Sequence, residues 1–145
     1  MQSALNQLPV MLIMTAIPSV AEDILTRGYL YGHLKFMKPS VWILLSSGIY
    51  VLNHIWRLND GAAVITYLFL LGVVLAVAVW TTQSLWLAFG IHWGANIAFE
   101  AGNSFIHTRT LVQHDGGTWL LALTWALLLI LLLIFNRDKF SNSLV

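Results

Sequence analysis

The sequence contains no cysteine and few charged residues, and both absences narrow the class of protein. Without cysteine the chain has no disulfide, no thiolate nucleophile and no cysteine-based metal site. Charged residues make up 9% of the 145 residues, whereas a soluble domain carries roughly 25%. Hydrophobic residues make up 59%. This balance predicts an integral membrane protein, and the net charge of +1 gives no reason to expect a nucleic-acid partner.

The apolar residues fall into five stretches that are separated by short polar connections. A helix needs about 20 residues to cross a hydrocarbon core of about 30 Å, and most of the stretches approach that length. We label them spans A to E. In chain order they are Leu5–Leu34, Val41–Ile55, Ala62–Trp80, Leu85–Ile106 and Thr118–Phe135. The sequence therefore predicts an all-α fold, a polytopic transmembrane bundle of about five helices, in a single transmembrane domain that covers residues 1–145.

The basic residues predict how this bundle is oriented. Four of them lie on the side that holds the A–B connection and the segment after span E, and two lie on the opposite side. The first group is Lys35, Lys38, Arg137 and Lys139, and the second is Arg57 and Arg109. Because cytoplasmic loops carry an excess of Lys and Arg, the C-terminus is expected in the cytoplasm. We expect a protein of a bacterial inner membrane.

Three short polar motifs interrupt spans A, B and D. They read Glu22-Asp23-x-x-x-Arg27, Tyr50-x-x-x-His54 and His92-x-x-x-Asn96. Ionisable groups are costly inside a bilayer and by default mark function there. At 1.5 Å per residue, the motifs of the three spans lie about 11 to 20 Å from the expected cytoplasmic surface. Three separate spans thus place polar groups at similar depth, which indicates one active site buried in the membrane.

The two neighbouring carboxylates of the first motif point in different directions from the helix. Glu22 and Asp23 are adjacent on a helix and so diverge by about 100°. Asp23 and Arg27 are four residues apart and share a face. We expect Glu22 to face the cavity while Asp23 neutralises Arg27.

The two histidine motifs have simpler interpretations when each is taken alone. A histidine such as His54 is often a packing residue that hydrogen-bonds a neighbouring helix. His92 and Asn96, four residues apart on one face, are also typical of an interhelical clamp. Only the three motifs together favour a site over these interpretations.

The ordered motifs resemble the signature of the CPBP intramembrane proteases, also called the Abi family, which includes the CAAX prenyl endopeptidases of the Rce1 type. That signature is Glu-Glu-x-x-x-Arg, Phe-x-x-x-His and His-x-x-x-Asn on successive helices. In this chain Asp23 replaces the second glutamate, and Tyr50 replaces the phenylalanine and keeps an aromatic wall. The resemblance covers roughly residues 18–99, and it implies that the domain resembles the catalytic core of these proteases.

The resemblance also implies a mechanism of peptide hydrolysis. Glu22 would be the general base, assisted by His54, and His92 and Asn96 would stabilise the oxyanion. Asp23, Arg27 and Tyr50 would support these four catalytic residues. We expect no cofactor. Zinc is the alternative, because a glutamate and two histidines also suit that ion, and the candidate ligands are then Glu22, His54 and His92.

The expected partners are a membrane-embedded or lipidated peptide substrate and the lipid bilayer. Family members have additional helices before the first motif. The resemblance therefore leads us to expect a shortened member, or a fragment, or a chain whose missing wall comes from another membrane protein or from a second copy in a homo-oligomer. Two rival functions stay open. One is a non-catalytic CPBP-like membrane subunit, and the other is an immunity or regulatory protein that binds a peptide without cutting it.

Overall fold

The computed structural model describes residues 2–104 and 116–142, and the regular elements within these ranges are all helices. In chain order they are α1 (Gln2–Asp23), a π-helix (Ile24–Tyr29), α2 (Leu30–His33), α3 (Pro39–Asn53), a 3₁₀ helix (Ile55–Asp60), α4 (Ala62–Thr82), α5 (Trp86–Ser104), α6 (Gly116–Phe135) and α7 (Arg137–Asn142). The all-α prediction is confirmed. The end of span D, most of the connection after it, and Arg109 lie outside the described residues.

Three helical stretches in the described part of the chain are long and apolar enough to cross a membrane. They are Gln7–His33, which corresponds to span A, Ala62–Thr82 and Gly116–Phe135. The helix of span B, α3, is apolar but has only 15 residues. The helix of span D, α5, has 19 residues and carries His92, Asn96 and Glu100, which lower its hydropathy. The two helices that meet the length and composition test least well are those that bear the histidine motifs.

Helix α4 lies at the centre of the bundle and contacts α3, α5 and α6. In its most apolar window 61% of the residues are buried, against 17% for Gln7–His33 and 6% for α6. Its sequence is apolar on all sides, which is the pattern of a helix surrounded by other helices. Gly72 lets α3 approach closely, because a Cβ there would lie 3.2 Å from the Cα of Ser47. The buried core is therefore built around α4.

Helix α1 packs on α5 through a tryptophan that reaches across the interface. The Nε1–H group of Trp93 donates to the carbonyl oxygen of Leu12 and to the hydroxyl of Thr15, each at 3.1 Å. This contact holds the first and third motifs on facing helices.

The π-helix Ile24–Tyr29 begins directly after Glu22 and Asp23, and the sequence analysis did not foresee it. Such wide turns are rare and frequently occur at functional sites. The hydroxyl of Ser46 on α3 donates to the carbonyl oxygen of Thr26 at 2.8 Å. A hydrogen bond from α3 thus supports the backbone of the wide turn and joins the first motif to the second.

The predicted end of span B is wrong by two residues. Helix α3 ends at Asn53, and His54 occupies the C-cap position with φ −105° and ψ 33°. The chain continues as a 3₁₀ helix, whose first turn includes a hydrogen bond from the Arg57 amide to the His54 carbonyl at 2.8 Å. His54 therefore projects from a helix end, where its backbone differs from that of a residue inside the helix.

Candidate active site

A cleft of about 900 Å³ opens between the helices and is lined by residues of all three motifs. The four predicted catalytic residues are all among its lining side chains: Glu22, His54, His92 and Asn96. Tyr50 lines it as well. The remaining wall is largely apolar and comes from α1, α4, α5 and α6. The structure thus brings the four residues to one cleft from three different helices.

Glu22 lies on the last turn of α1, and its side chain is 28% exposed. Its Oε2 atom is itself buried and accepts no hydrogen bond from the described residues. The nearest basic group is the imidazole of His92, whose Nε2 lies 3.8 Å from this oxygen. The Glu22 side chain is therefore partly open to the cleft and lies beside the His92 ring.

Asp23 and Arg27 form the expected ion pair, and both are buried, at 1% and 0% exposure. Arg27 also donates to the hydroxyl of Thr26 at 2.9 Å. Its guanidinium carbon lies 4.7 Å from the centre of the Tyr50 ring, a cation–π contact. An unpaired guanidinium at this position would be very costly. The pair thus keeps a buried cation neutralised beneath the cleft.

His92 connects both carboxylates of the first motif, which the sequence analysis did not anticipate. Its Nδ1 lies 3.3 Å from Oδ1 of Asp23. Because the ionised carboxylate only accepts hydrogen bonds, Nδ1 carries the proton of that contact. On the other side of the ring, the Tyr50 hydroxyl lies 3.3 Å from Nε2. With 2% exposure, the ring is held on both nitrogens.

His54 is oriented by the backbone of its own helix end. Its Nδ1–H group donates to the carbonyl oxygen of Tyr50 at 2.9 Å. The other nitrogen, Nε2, therefore carries the lone pair of the neutral imidazole. The ring lies 4.8 Å from the Tyr50 ring, between centroids. His54 thus offers the cleft a hydrogen-bond acceptor.

Asn96 lies one helical turn after His92 and lines the same cleft. Its amide nitrogen donates to the hydroxyl of Ser19 on α1 at 2.9 Å. A primary amide has two N–H groups, so one donor is left for a ligand. Ser19 is fully buried. Its part in positioning Asn96 was missed, because a lone serine in an apolar helix gives no sequence signal.

Zinc stays the alternative prediction, with Glu22, His54 and His92 as its candidate ligands. In residues 2–104 and 116–142, no group of three or more His, Asp or Glu side chains is placed to hold a metal ion. We therefore derive no step through a metal.

These features define a helical membrane protein with a polar cleft between its helices. The chain belongs to the Type II CAAX prenyl endopeptidase Rce1-like family, whose model matches residues 4–98. The matched region contains all three motifs, the whole of α3 and α4, and most of α1 and α5. No curated protein and no solved structure matches the chain.

Proposed function

We propose that the protein is an intramembrane endopeptidase of the CAAX-protease type, in which Glu22 activates water for attack on a peptide bond. The proposal rests on one observation about Glu22. Its side chain lines the cleft, and its Oε2 atom accepts no hydrogen bond from the described residues. A buried acceptor without a donor is costly, so it is retained where a ligand or a reaction uses it.

The proposed reaction begins with a water molecule held between Glu22 and the Nε2 lone pair of His54. Glu22 takes a proton from this water, and the oxygen forms a bond to the carbonyl carbon of the peptide. The electron pair of the C=O double bond moves to the carbonyl oxygen, which becomes an oxyanion. Asn96 and His92 are the groups proposed to stabilise this oxyanion. Collapse of this intermediate breaks the C–N bond, and Glu22 returns the proton to the leaving amine. General-base catalysis of this kind contributes about 10²- to 10⁴-fold.

The proposed substrate is a membrane-embedded or lipidated peptide. Ligand sites typically have volumes of about 300 to 1,000 Å³ and mostly apolar walls. The cleft fits this description, with Leu71, Leu121 and Leu128 in its wall. We place the protein in a bacterial inner membrane with its C-terminus in the cytoplasm. A C-terminal reporter that is active only outside the cytoplasm should therefore stay inactive.

The test is cleavage of a lipidated fluorogenic peptide by protein reconstituted in liposomes. Glu22→Gln keeps the shape of the side chain and removes the proton acceptor, so the rate should fall at least about a hundredfold. Asp138→Asn makes the same kind of change on an exposed helix outside the cleft, and it should leave the rate unchanged.

Two other outcomes would redirect the assignment. Wild-type protein that binds the peptide without cutting it, with Glu22→Gln indistinguishable from it, favours the non-catalytic subunit or the peptide-binding regulator. Activity that a chelator abolishes and zinc restores would make Glu22, His54 and His92 metal ligands.

A further inference from the structure

The Tyr50 hydroxyl is a polar group in the cleft that the proposed reaction does not use. The motif pattern that this chain resembles has phenylalanine at the position, so the hydroxyl is additional to the expected set. Tyr50 is 2% exposed, and its hydroxyl lies 3.3 Å from Nε2 of His92. The same nitrogen lies 3.8 Å from Oε2 of Glu22. The hydroxyl is therefore placed at the contact between the proposed base and its neighbouring imidazole.

For a neutral ring, the donor and acceptor assignment at Nε2 of His92 follows from its other nitrogen. Asp23 accepts the Nδ1–H bond, and Asp23 is ionised because it pairs with buried Arg27. A neutral imidazole with its proton on Nδ1 has a lone pair on Nε2. The Tyr50 O–H group is the donor that this lone pair meets, since the Glu22 carboxylate can only accept.

The Tyr50 ring has little freedom to leave this position. Arg27 lies against one face, 4.7 Å from the ring centre. On α4, a Cβ added at Gly72 would come within 3.3 Å of the ring atom Cδ1, so the backbone of α4 also lies against the ring. The rings of Tyr50 and His92 meet edge to face at 5.6 Å between centroids. The hydroxyl is consequently held at Nε2 by packing as well as by its hydrogen bond.

We propose that Tyr50 is a positioning residue that donates to Nε2 of His92 and holds the neutral ring, with its proton on Nδ1, beside Glu22. This inference rests on the proposed function and deepens it. In the resting site His92 is then an acceptor at Nε2, and it can donate from that atom to an oxyanion only after Nε2 has taken up a proton. Asn96 has an N–H group that no described residue accepts, so the oxyanion contact falls first to Asn96.

The experiment compares two tyrosine-to-phenylalanine variants, each of which removes one hydroxyl and one side-chain hydrogen bond. Tyr50→Phe removes the bond to His92. Tyr31→Phe removes the hydrogen bond that Tyr31 donates to Gln83, and neither of these residues lines the cleft. A hydrogen bond of this kind contributes about 0.5 to 1.5 kcal/mol. Tyr50→Phe should therefore lower kcat roughly three- to tenfold with KM within twofold of wild type, while Tyr31→Phe leaves both unchanged.

A spectroscopic readout separates positioning from general loosening of the site. In protein labelled with ¹⁵N-histidine, the His92 resonances are assigned by their loss in His92→Gln. The Nε2 resonance of His92 should change in Tyr50→Phe and stay at its wild-type value in Tyr31→Phe.

A Tyr50→Phe protein with either wild-type kcat or a wild-type Nε2 resonance overturns the inference. Full cleavage by Glu22→Gln would overturn the proposed function instead, and the ¹⁵N measurement would still test the contact between Tyr50 and His92.

Discussion

Nδ1 of His92 lies 3.3 Å from Oδ1 of Asp23, the same carboxylate oxygen that pairs with Arg27. One buried oxygen thus serves an ion pair within the first motif and a hydrogen bond to the third. Loss of Asp23 would release both the cation and the imidazole. The residue next to the proposed base therefore supports the site in two ways.

Breaking the Asp23–Arg27 pair should destabilise the fold strongly. Asp23→Asn leaves a buried guanidinium without its counter-ion, which costs about 3 to 5 kcal/mol. Arg27→Met combined with it should cost less than the sum of the single changes, by more than about 1 kcal/mol of coupling. Unfolding in detergent with increasing SDS measures these differences. As a control, Asp60→Asn breaks the exposed pair with Arg57, and it should cost less than about 1 kcal/mol. Strict additivity at Asp23 and Arg27 would contradict the pairing.

Asn96→Ala should lower kcat by about two to three orders of magnitude, the usual effect of removing one oxyanion donor. Asn136→Ala is the matched control, because among the described residues its side-chain amide donates only to the Leu132 carbonyl, near the end of α6. Ser19→Ala removes the acceptor of Asn96 and keeps its amide, so its effect should be smaller than that of Asn96→Ala. Steady-state cleavage of the lipidated peptide provides the measurement. Equal losses in the Ser19 and Asn96 variants would show that Asn96 acts by joining α5 to α1.

Gly72→Ala should destabilise the bundle because α3 and α4 are in close contact there. The added methyl group would lie 3.2 Å from the Cα of Ser47, a backbone atom, and 3.3 Å from Cδ1 of Tyr50. Overpacking of this size costs about 1 to 3 kcal/mol. Gly48→Ala on α3 is the matched control, since nothing lies within 4 Å of its added Cβ. Equal midpoints of unfolding for the two variants would contradict this prediction, because α3 and α4 would then move apart at little cost in free energy.

We expect another membrane chain, or a second copy, against α1. Val10, Ile13 and Ile17 share one face of α1 and are 60 to 62% exposed. Met14 beside them is 64% exposed and also lines the cleft, so a partner on this face would complete the cleft wall. The sequence contains no cysteine, and Ile17→Cys therefore gives a single crosslinking position. In liposomes it should crosslink more than Leu127→Cys on α6, which is 54% exposed. A stable, active monomer with no crosslink at Ile17 would refute the expectation.

The sequence by itself determined the fold class, and it predicted the four polar side chains Glu22, His54, His92 and Asn96 that line the cleft. Apolar composition and span length predict a helical membrane bundle, because only structures that satisfy their own backbone hydrogen bonds persist in lipid. Spacings of four residues predict which side chains share a face, and the Asp23–Arg27 pair followed from that spacing alone.

Contacts between helices required the tertiary structure. The hydrogen bonds of His92 to Asp23 and Tyr50 join residues 69 and 42 positions apart, and no local period encodes such a separation. The hydrogen bonds from Asn96 to Ser19 and from Ser46 to the π-helix also join residues of different helices. Sequence spacing predicts the face of a single helix. The rotation and height of one helix against another are decided by packing, here around α4, and that packing decides which atom of each polar side chain meets its partner.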